Sequence, residues 1–229
     1  MRMTLEIYQE RIDEIELYFN ALKELYQTQS RESEHSFYND DFLKILKANA
    51  LIMIYNLVES SIMGGILEIY DELKNSGYNY KDVRKEIQDI WFSFKFNQVY
   101  DKTAHYNSYR DKAAEIINAI MRNEPIEMDR KATDISGNLD ADKIRQICSD
   151  HGITYTIDSA CRGGVALEDV KNKRNQLAHG TTSFAECGRY YAIDDLEKIK
   201  NETVIFLNGI LHGMKKYYDE KTYLKVVNN

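Results

Sequence analysis

The chain has little proline, little glycine and few cysteines, and each scarcity excludes a class of protein. One proline and eleven glycines in 229 residues leave little material for many tight turns or long linkers, so helices are favoured. The three cysteines, Cys148, Cys161 and Cys187, are odd in number and form no CxxC pair. This pattern predicts free thiols in a reducing compartment, and the cytoplasm is the simplest such location.

Clustered positive charge and long apolar runs are also missing. The formal net charge of −7 disfavours a surface built for general duplex binding, so any nucleic-acid site must be local. The most apolar stretch, residues 42–73, is interrupted by polar and charged residues, whereas a spanning helix needs about 20 predominantly apolar residues. The interruptions include Lys44, Lys47, Asn49, Asn56 and Glu59. The first residues lack the apolar centre of a signal peptide. We therefore expect no membrane segment.

Signatures of metal and nucleotide cofactors are absent too. Asp140-x-Asp142 is more typical of acids in the first turn of a helix, and Cys148-x-x-His151 lacks a second pair of ligands. Gly163-Gly164 precedes a predicted helix, but the other residues of a P-loop or Rossmann turn are missing. We therefore expect neither a bound metal nor a cofactor.

The apolar residues recur at threes and fours along most of the chain, which predicts an all-α helical bundle. Helices are predicted over residues 5–26, 41–75, 81–96, 105–122, 141–149 and 165–178, and after Asp194. The second is apolar on nearly every side and should form the buried centre. The length suits one core, so residues 1–229 are predicted to form a single domain.

Smaller signals refine this pattern. Residues 28–39 and 181–193 are predicted to be loops, Asp140 and Asp194 to be N-caps, and Gly180 to end the helix before it. Residues 153–157 alternate in polarity, which predicts one small β element, paired with either residues 125–128 or residues 190–193.

The stretch KRNQLAHGTTSF, residues 173–184, carries the candidate chemistry. At 100° per residue, Asn175 and His179 share one helix face, whereas Arg174 lies about 140° away from His179. One copy therefore makes an incomplete pocket, and two copies meeting across a twofold axis would complete it. The spacing favours a homodimer.

Arginine and histidine suit the cleavage of RNA without a metal. The reaction needs a base for the ribose 2′-OH, an acid for the leaving 5′-oxygen and fixed positive charge for the phosphate. An imidazole has an ordinary pKa of about 6.5, so two copies can supply both the base and the acid. Arginine binds phosphate oxygens through charge-assisted hydrogen bonds. DNA lacks the internal nucleophile, so RNA is the expected substrate.

Other polar residues allow two interpretations each. Glu59 and Asn56 lie three apart on the most apolar helix, where they either orient Arg174 or His179 or face a solvent-filled seam. Four basic residues either grip RNA phosphates or lie on solvated faces. They are Arg162, Lys171, Lys173 and Arg189.

The sequence resembles the HEPN superfamily, whose signature is R-x4-6-H at the end of a helix in an α-helical bundle. The stretches RNQLAHGTTSFAECGRYYAIDDL, ISGNLDADKIRQICSDHGI and YNLVESSI are similar to the larger, stand-alone MAE-type HEPN nucleases of prokaryotic defence and conflict systems. The resemblance implies a metal-independent endoribonuclease or toxin that acts as a homodimer, with Arg174 and His179 as the catalytic pair and Asn175 as their polar companion.

The resemblance also raises an antitoxin or a restriction-system protein as a partner. HEPN toxins paired with nucleotidyltransferase antitoxins usually carry a tyrosine where this chain has Thr181, which argues against that route of neutralisation. Two alternatives remain open: a non-catalytic HEPN-type module that binds a nucleotide or a protein, and a purely structural His179 buried in the core.

Overall fold

The computed structural model describes residues 1–31, 40–97, 106–133, 135 and 137–226. Within these ranges the chain forms α-helices joined by short connections. They are α1 (Arg2–Arg31), α2 (Asp40–Asn75), α3 (Lys85–Asn97), α4 (Tyr106–Met121), α5 (Ala141–His151), α6 (Ala166–Ala178), α7 (Phe184–Arg189) and α8 (Ile193–Asp219). Two 3₁₀ helices, Arg130–Thr133 and Ser159–Gly164, precede α5 and α6.

Helix α2 is the centre of the bundle, as its apolar composition predicts. Helices α1, α6, α7 and α8 pack around it, and residues such as Leu51, Ile62 and Ile69 are fully buried. Gly65 lets α8 approach closely, because an added Cβ there would lie 2.7 Å from the sulfur of Met214. The candidate residues Asn56 and Glu59 therefore lie on a helix that is held in the core.

The same helix is long and apolar enough to cross a membrane, judged by length and composition alone. However, 61% of its most apolar window is buried inside the protein fold. Core helices of soluble proteins can be equally long and apolar, and α2 packs against α1, α6, α7 and α8.

Several local predictions are confirmed. Asp140 is the N-cap of α5, and its carboxylate accepts a hydrogen bond from the backbone N–H of Lys143 at 2.9 Å. Gly180 follows the end of α6 with a φ of +67°, a left-handed conformation that favours glycine. The loop predicted over residues 28–39 is wrong at its start, because α1 continues through Arg31. Residues 32–39 lie outside the described residues.

The predicted β element is wrong. Residues 153–157 lie against α8 in a non-helical conformation, and the carbonyl oxygen of Thr154 would be 2.5 Å from a Cβ on Gly213. Their alternation therefore reflects packing on a helix and not strand pairing. In the described ranges, only isolated β-bridges occur, Asn79 with Pro125 and Val83 with Leu224, so the fold is all-α.

The loop predicted over 181–193 contains α7, a helix that the prediction missed. Ser183 caps it by accepting a hydrogen bond from the N–H of Glu186 at 3.1 Å. Asp194 is not the cap of α8, because helix α8 begins after Ala192 and the carboxylate of Asp195 accepts from the Ala192 N–H at 3.1 Å.

Gly188→Ala should destabilise the protein more than Gly77→Ala. A Cβ at Gly188 would collide with the backbone carbonyl of Lys44, so α7 would have to leave α2. We expect a loss of about 2–3 kcal/mol of unfolding free energy from overpacking. Gly77 has open space around it and a φ of +70°, so alanine there should cost only about 1 kcal/mol. Urea unfolding measures both, and equal losses would contradict close α2–α7 packing.

Candidate active site

The segment 137–140 crosses between α2 and α6 and is bonded to both helices. From α6, Arg174 Nη1 donates to the Gly137 carbonyl at 3.0 Å, and Asn175 Nδ2 donates to Asn138 Oδ1 at 2.8 Å. On the other side, the Leu139 N–H donates to the Tyr55 hydroxyl of α2 at 3.2 Å. The segment thus ties the motif helix to the central helix.

The guanidinium of Arg174 is held at several points. It lies 4.2 Å from the centre of the Tyr55 ring, a cation–π distance, and Nη2 donates to Glu59 Oε2 at 3.1 Å. Nη1 donates to Gly137 and, at 2.8 Å, to the amide oxygen of Asn175. A guanidinium has five N–H donors, so in the described part of the chain the Nε–H and one Nη2–H stay available to a ligand.

Glu59 is the acidic group of the cluster that Arg174 forms with Tyr55, Gly137 and Asn175. Its Oε1 also lies 3.5 Å from Arg130 Nη2, so one carboxylate contacts two arginines. Burial raises the pKa of the neighbouring Tyr55 phenol, while the N–H of Leu139 and the charge of Arg174 act in the opposite direction. Tyr55 therefore stays neutral and serves as a platform for the cation.

Asp140 links α6 to α5. Besides capping that helix, its carboxylate forms an ion pair with Lys171 Nζ on α6 at 2.5 Å. Burial raises the pKa of Asp140, but hydrogen bonds from the Lys143 N–H and from Lys171 outweigh it, so that the pKa lies below its usual value. Lys171 is consequently committed to an internal partner.

His179 stands at the exposed end of α6. Its backbone N–H donates to the Asn175 carbonyl at 3.0 Å, and the Thr181 N–H donates to the Gln176 carbonyl at 3.0 Å, so the helix end is well formed. The imidazole is exposed and makes no hydrogen bond to any described residue. A buried, structural His179 is therefore excluded.

The remaining predicted residues are spread around the fold. Asn56 is exposed, without a hydrogen bond to described residues, whereas Glu59 meets Arg174 directly. Lys173 Nζ lies 6.0 Å from the centre of the Tyr190 ring, and Arg162 binds both carboxylate oxygens of Glu202 at 2.9 and 2.8 Å. The remaining basic residue, Arg189, is exposed at the end of α7.

Three residues of the cluster were missed in the sequence. Tyr55 lies four positions before Glu59 on the same helix, so an i, i+4 search around Glu59 would have found it. Gly137 has a φ of +77°, and an added Cβ would lie 3.0 Å from Arg174 Nη2. Arg130 belongs to a 3₁₀ turn that is far in sequence from both Glu59 and Arg174, and no local pattern indicates its place.

Two side chains, Arg174 of α6 and His179 at the end of that helix, have the chemistry for phosphate binding and for proton transfer. A guanidinium with two available donors binds phosphate oxygens, and an exposed imidazole transfers protons near neutral pH. Among the described residues, no three His, Cys, Asp or Glu side chains are grouped so that they could hold a metal ion.

A helical bundle in which an R-N-x-x-x-H helix is clamped to an apolar central helix is the arrangement of a HEPN-like protein. The model of the HEPN_MAE_28990-like HEPN family matches residues 5–223, so the chain belongs to that family. HEPN domains are generally associated with ribonuclease activity or nucleotide binding. Comparisons with curated proteins and with solved structures gave no match.

Replacing Asp140 should separate its capping role from its charge. Asp140→Ala removes the cap and the ion pair, so we expect a loss of about 1–2 kcal/mol near pH 7. Asp140→Asn keeps a capping side chain and should lose less. Because the folded pKa is lowered, the charge of Asp140 stabilises the fold above about pH 4 and this contribution disappears as the pH falls further.

Thermal melts between neutral and acidic pH provide the measurement. The wild type should lose more stability than Asp140→Asn below about pH 4, since only the wild type has this carboxylate to protonate. Parallel pH profiles for the two proteins would show that the charge of Asp140 contributes nothing.

Proposed function

We propose that the protein is a metal-independent endoribonuclease of a prokaryotic defence or toxin system, acting in the cytoplasm as a homodimer. The observation that carries this proposal is the geometry of α6. Arg174 is held in place with two N–H groups left over, and five residues later His179 presents a solvent-exposed imidazole. The reaction needs fixed positive charge, a base and an acid, and each chain supplies the charge and one proton-transfer group.

In the proposed reaction an imidazole removes the proton of a ribose 2′-OH, and the 2′-oxygen attacks the adjacent phosphorus. The bond from phosphorus to the 5′-oxygen breaks, and a second, protonated imidazole donates a proton to that oxygen. The products are a 2′,3′-cyclic phosphate and a free 5′-OH. Arg174 stabilises the charge on the phosphoryl oxygens through its remaining donors. Asn175 orients the guanidinium through its amide oxygen.

The homodimer follows from the need for two imidazoles at one phosphate. Each chain contributes one His179, at an exposed helix end where a second copy has access to it. We therefore assign the base and the acid to His179 and the partner's His179. An antitoxin or restriction-system protein would act by covering this surface or by changing how the two copies associate.

A second candidate is a non-catalytic module that binds a nucleotide or a protein. The internal bonds of Arg174 to Glu59, Gly137 and Asn175 favour it, because a structural arginine is held in the same way. In that case Arg174→Ala would lower the melting temperature or weaken dimerisation while the wild type cuts no RNA.

His179→Ala should lower RNA cleavage in EDTA by about a hundred-fold or more, because it removes both proton-transfer groups. His212→Ala is the control, since His212 is also exposed but lies on α8. The substrates are a single-stranded RNA and a single-stranded DNA of the same sequence. The termini of the RNA products are determined in the same experiment. Only the RNA should be cut, and its products should end in a 2′,3′-cyclic phosphate.

Equal cleavage by the wild type and His179→Ala, or cleavage that strictly requires Mg²⁺, would contradict the proposed mechanism. A mixing experiment tests the composite site. Excess His179→Ala chains should suppress wild-type activity beyond simple dilution, because mixed dimers have only one imidazole. Unchanged activity per wild-type chain would argue for a site within one subunit.

Glu59→Gln should lower kcat without weakening RNA binding. The substitution releases one of the groups that orient Arg174, so we expect kcat to fall about ten-fold. It also removes a negative charge beside the substrate, so the Kd for RNA should fall or stay unchanged.

Glu86→Gln is the matched control, because Glu86 also pairs with an arginine, at 2.9 Å from Arg84, away from the cluster. A parallel loss of kcat and RNA affinity in Glu59→Gln would contradict a positioning role. The control should leave both quantities unchanged.

A further inference from the structure

Arg130 shares the carboxylate of Glu59 with Arg174. Arg130 Nη2 lies 3.5 Å from Oε1, and Arg174 Nη2 lies 3.1 Å from Oε2. Arg130 reaches this position from the 3₁₀ helix Arg130–Thr133, which lies between α4 and α5 in the chain. The two guanidinium groups are therefore separated by the width of one carboxylate.

The charges of the cluster show what Arg130 adds. The charges of Arg174 and Glu59 cancel each other, and that of Lys171 is neutralised by Asp140. Phosphate binding needs a locally positive surface, especially in a chain with a net charge of −7. With Arg130 included, two guanidinium groups face one carboxylate, and the trio has a net charge of +1. Within this trio, Arg130 thus supplies the excess positive charge.

The two arginines differ in how firmly they are held. The Arg174 side chain is 24% exposed and is bonded to three groups, whereas that of Arg130 is 66% exposed and its distance to Glu59 is at the limit of a hydrogen bond. An exposed pair of this length contributes little to stability. Arg130 can therefore exchange Glu59 for a phosphate oxygen without disturbing the fold.

Two of the other basic residues near the motif are engaged more tightly than Arg130. Arg162 binds Glu202 through two hydrogen bonds, and Lys171 binds Asp140 at 2.5 Å. Lys131, beside Arg130, is exposed and adds positive charge to the same turn, while Asp129 accepts a hydrogen bond from its N–H. Position and exposure together favour Arg130 as the cation that a substrate meets.

We propose that Arg130 is a phosphate-binding residue that holds a single-stranded RNA at the phosphate next to the one contacted by Arg174. This proposal rests on the proposed function and adds a substrate contact to the same site. Arg174 acts on the scissile phosphate, and Arg130 fixes the position of the strand. Because a phosphate contact carries no base information, Arg130 contributes affinity and not sequence preference.

The test measures binding separately from cleavage. A fluorescein-labelled single-stranded RNA of mixed sequence is titrated with the His179→Ala chain at several salt concentrations. Adding Arg130→Ala should raise the Kd about ten-fold and reduce the slope of log K against log salt by about 0.7, the value for one phosphate contact on a single strand. Arg130→Lys should keep most of that slope.

Arg122→Ala in the same background is the matched control, because it removes an arginine that is also exposed and weakly paired with a carboxylate, that of Glu124 at 3.9 Å. It should change the Kd by less than about two-fold. Melting temperatures of all variants establish that they are folded. A Kd and a salt slope for Arg130→Ala equal to those of its parent would overturn the assignment, as would the absence of RNA binding.

Cleavage by the otherwise wild-type chain distinguishes this proposal from the nuclease itself. If RNA binds in an Arg130-dependent manner but is never cut, the nuclease proposal fails and the binding residue stands. If RNA is cut in a His179-dependent manner and Arg130→Ala changes neither KM nor the Kd, the nuclease stands and this assignment fails.

Discussion

The site depends on the ion pair between Arg174 and Glu59, made over the ring of Tyr55. A partly buried guanidinium is unfavourable unless its charge and donors are satisfied, and here α2, α6 and the segment 137–140 all contribute partners. The pair therefore requires three distant parts of the sequence to be in place at once. Arg174 is therefore oriented only when the bundle is correctly folded.

Helix α2 explains why polar residues occur in the most apolar stretch of the chain. Its buried residues make the core, while Tyr55 and Glu59, one turn apart, face the motif helix. The helix that determines stability thus also determines the geometry of the site. Loosening of the core around α2 would therefore also disturb the partners of Arg174.

The sequence predicted the parts of the structure that depend on local patterns. The apolar circumference of α2, the Asp140 cap and Gly180 follow from periodicity and backbone preference, and the spacing of Arg174 and His179 identified the motif helix. Residues 153–157 were misread because a segment lying on a helix can alternate like a strand, and α7 is too short for a clear period. The contacts of Glu59 with Arg130 and Arg174 depend on tertiary packing, which has no local signature.

The contact of Gly188 with the Lys44 carbonyl has a consequence for His179. Helix α7 cannot slide along α2, because their backbones touch, and α6 is clamped to α2 by Arg174. The turn that carries His179 is thus anchored at both ends, although its imidazole is open to solvent. A molecule that binds this imidazole would therefore meet a side chain whose backbone is held between two helices packed on the core.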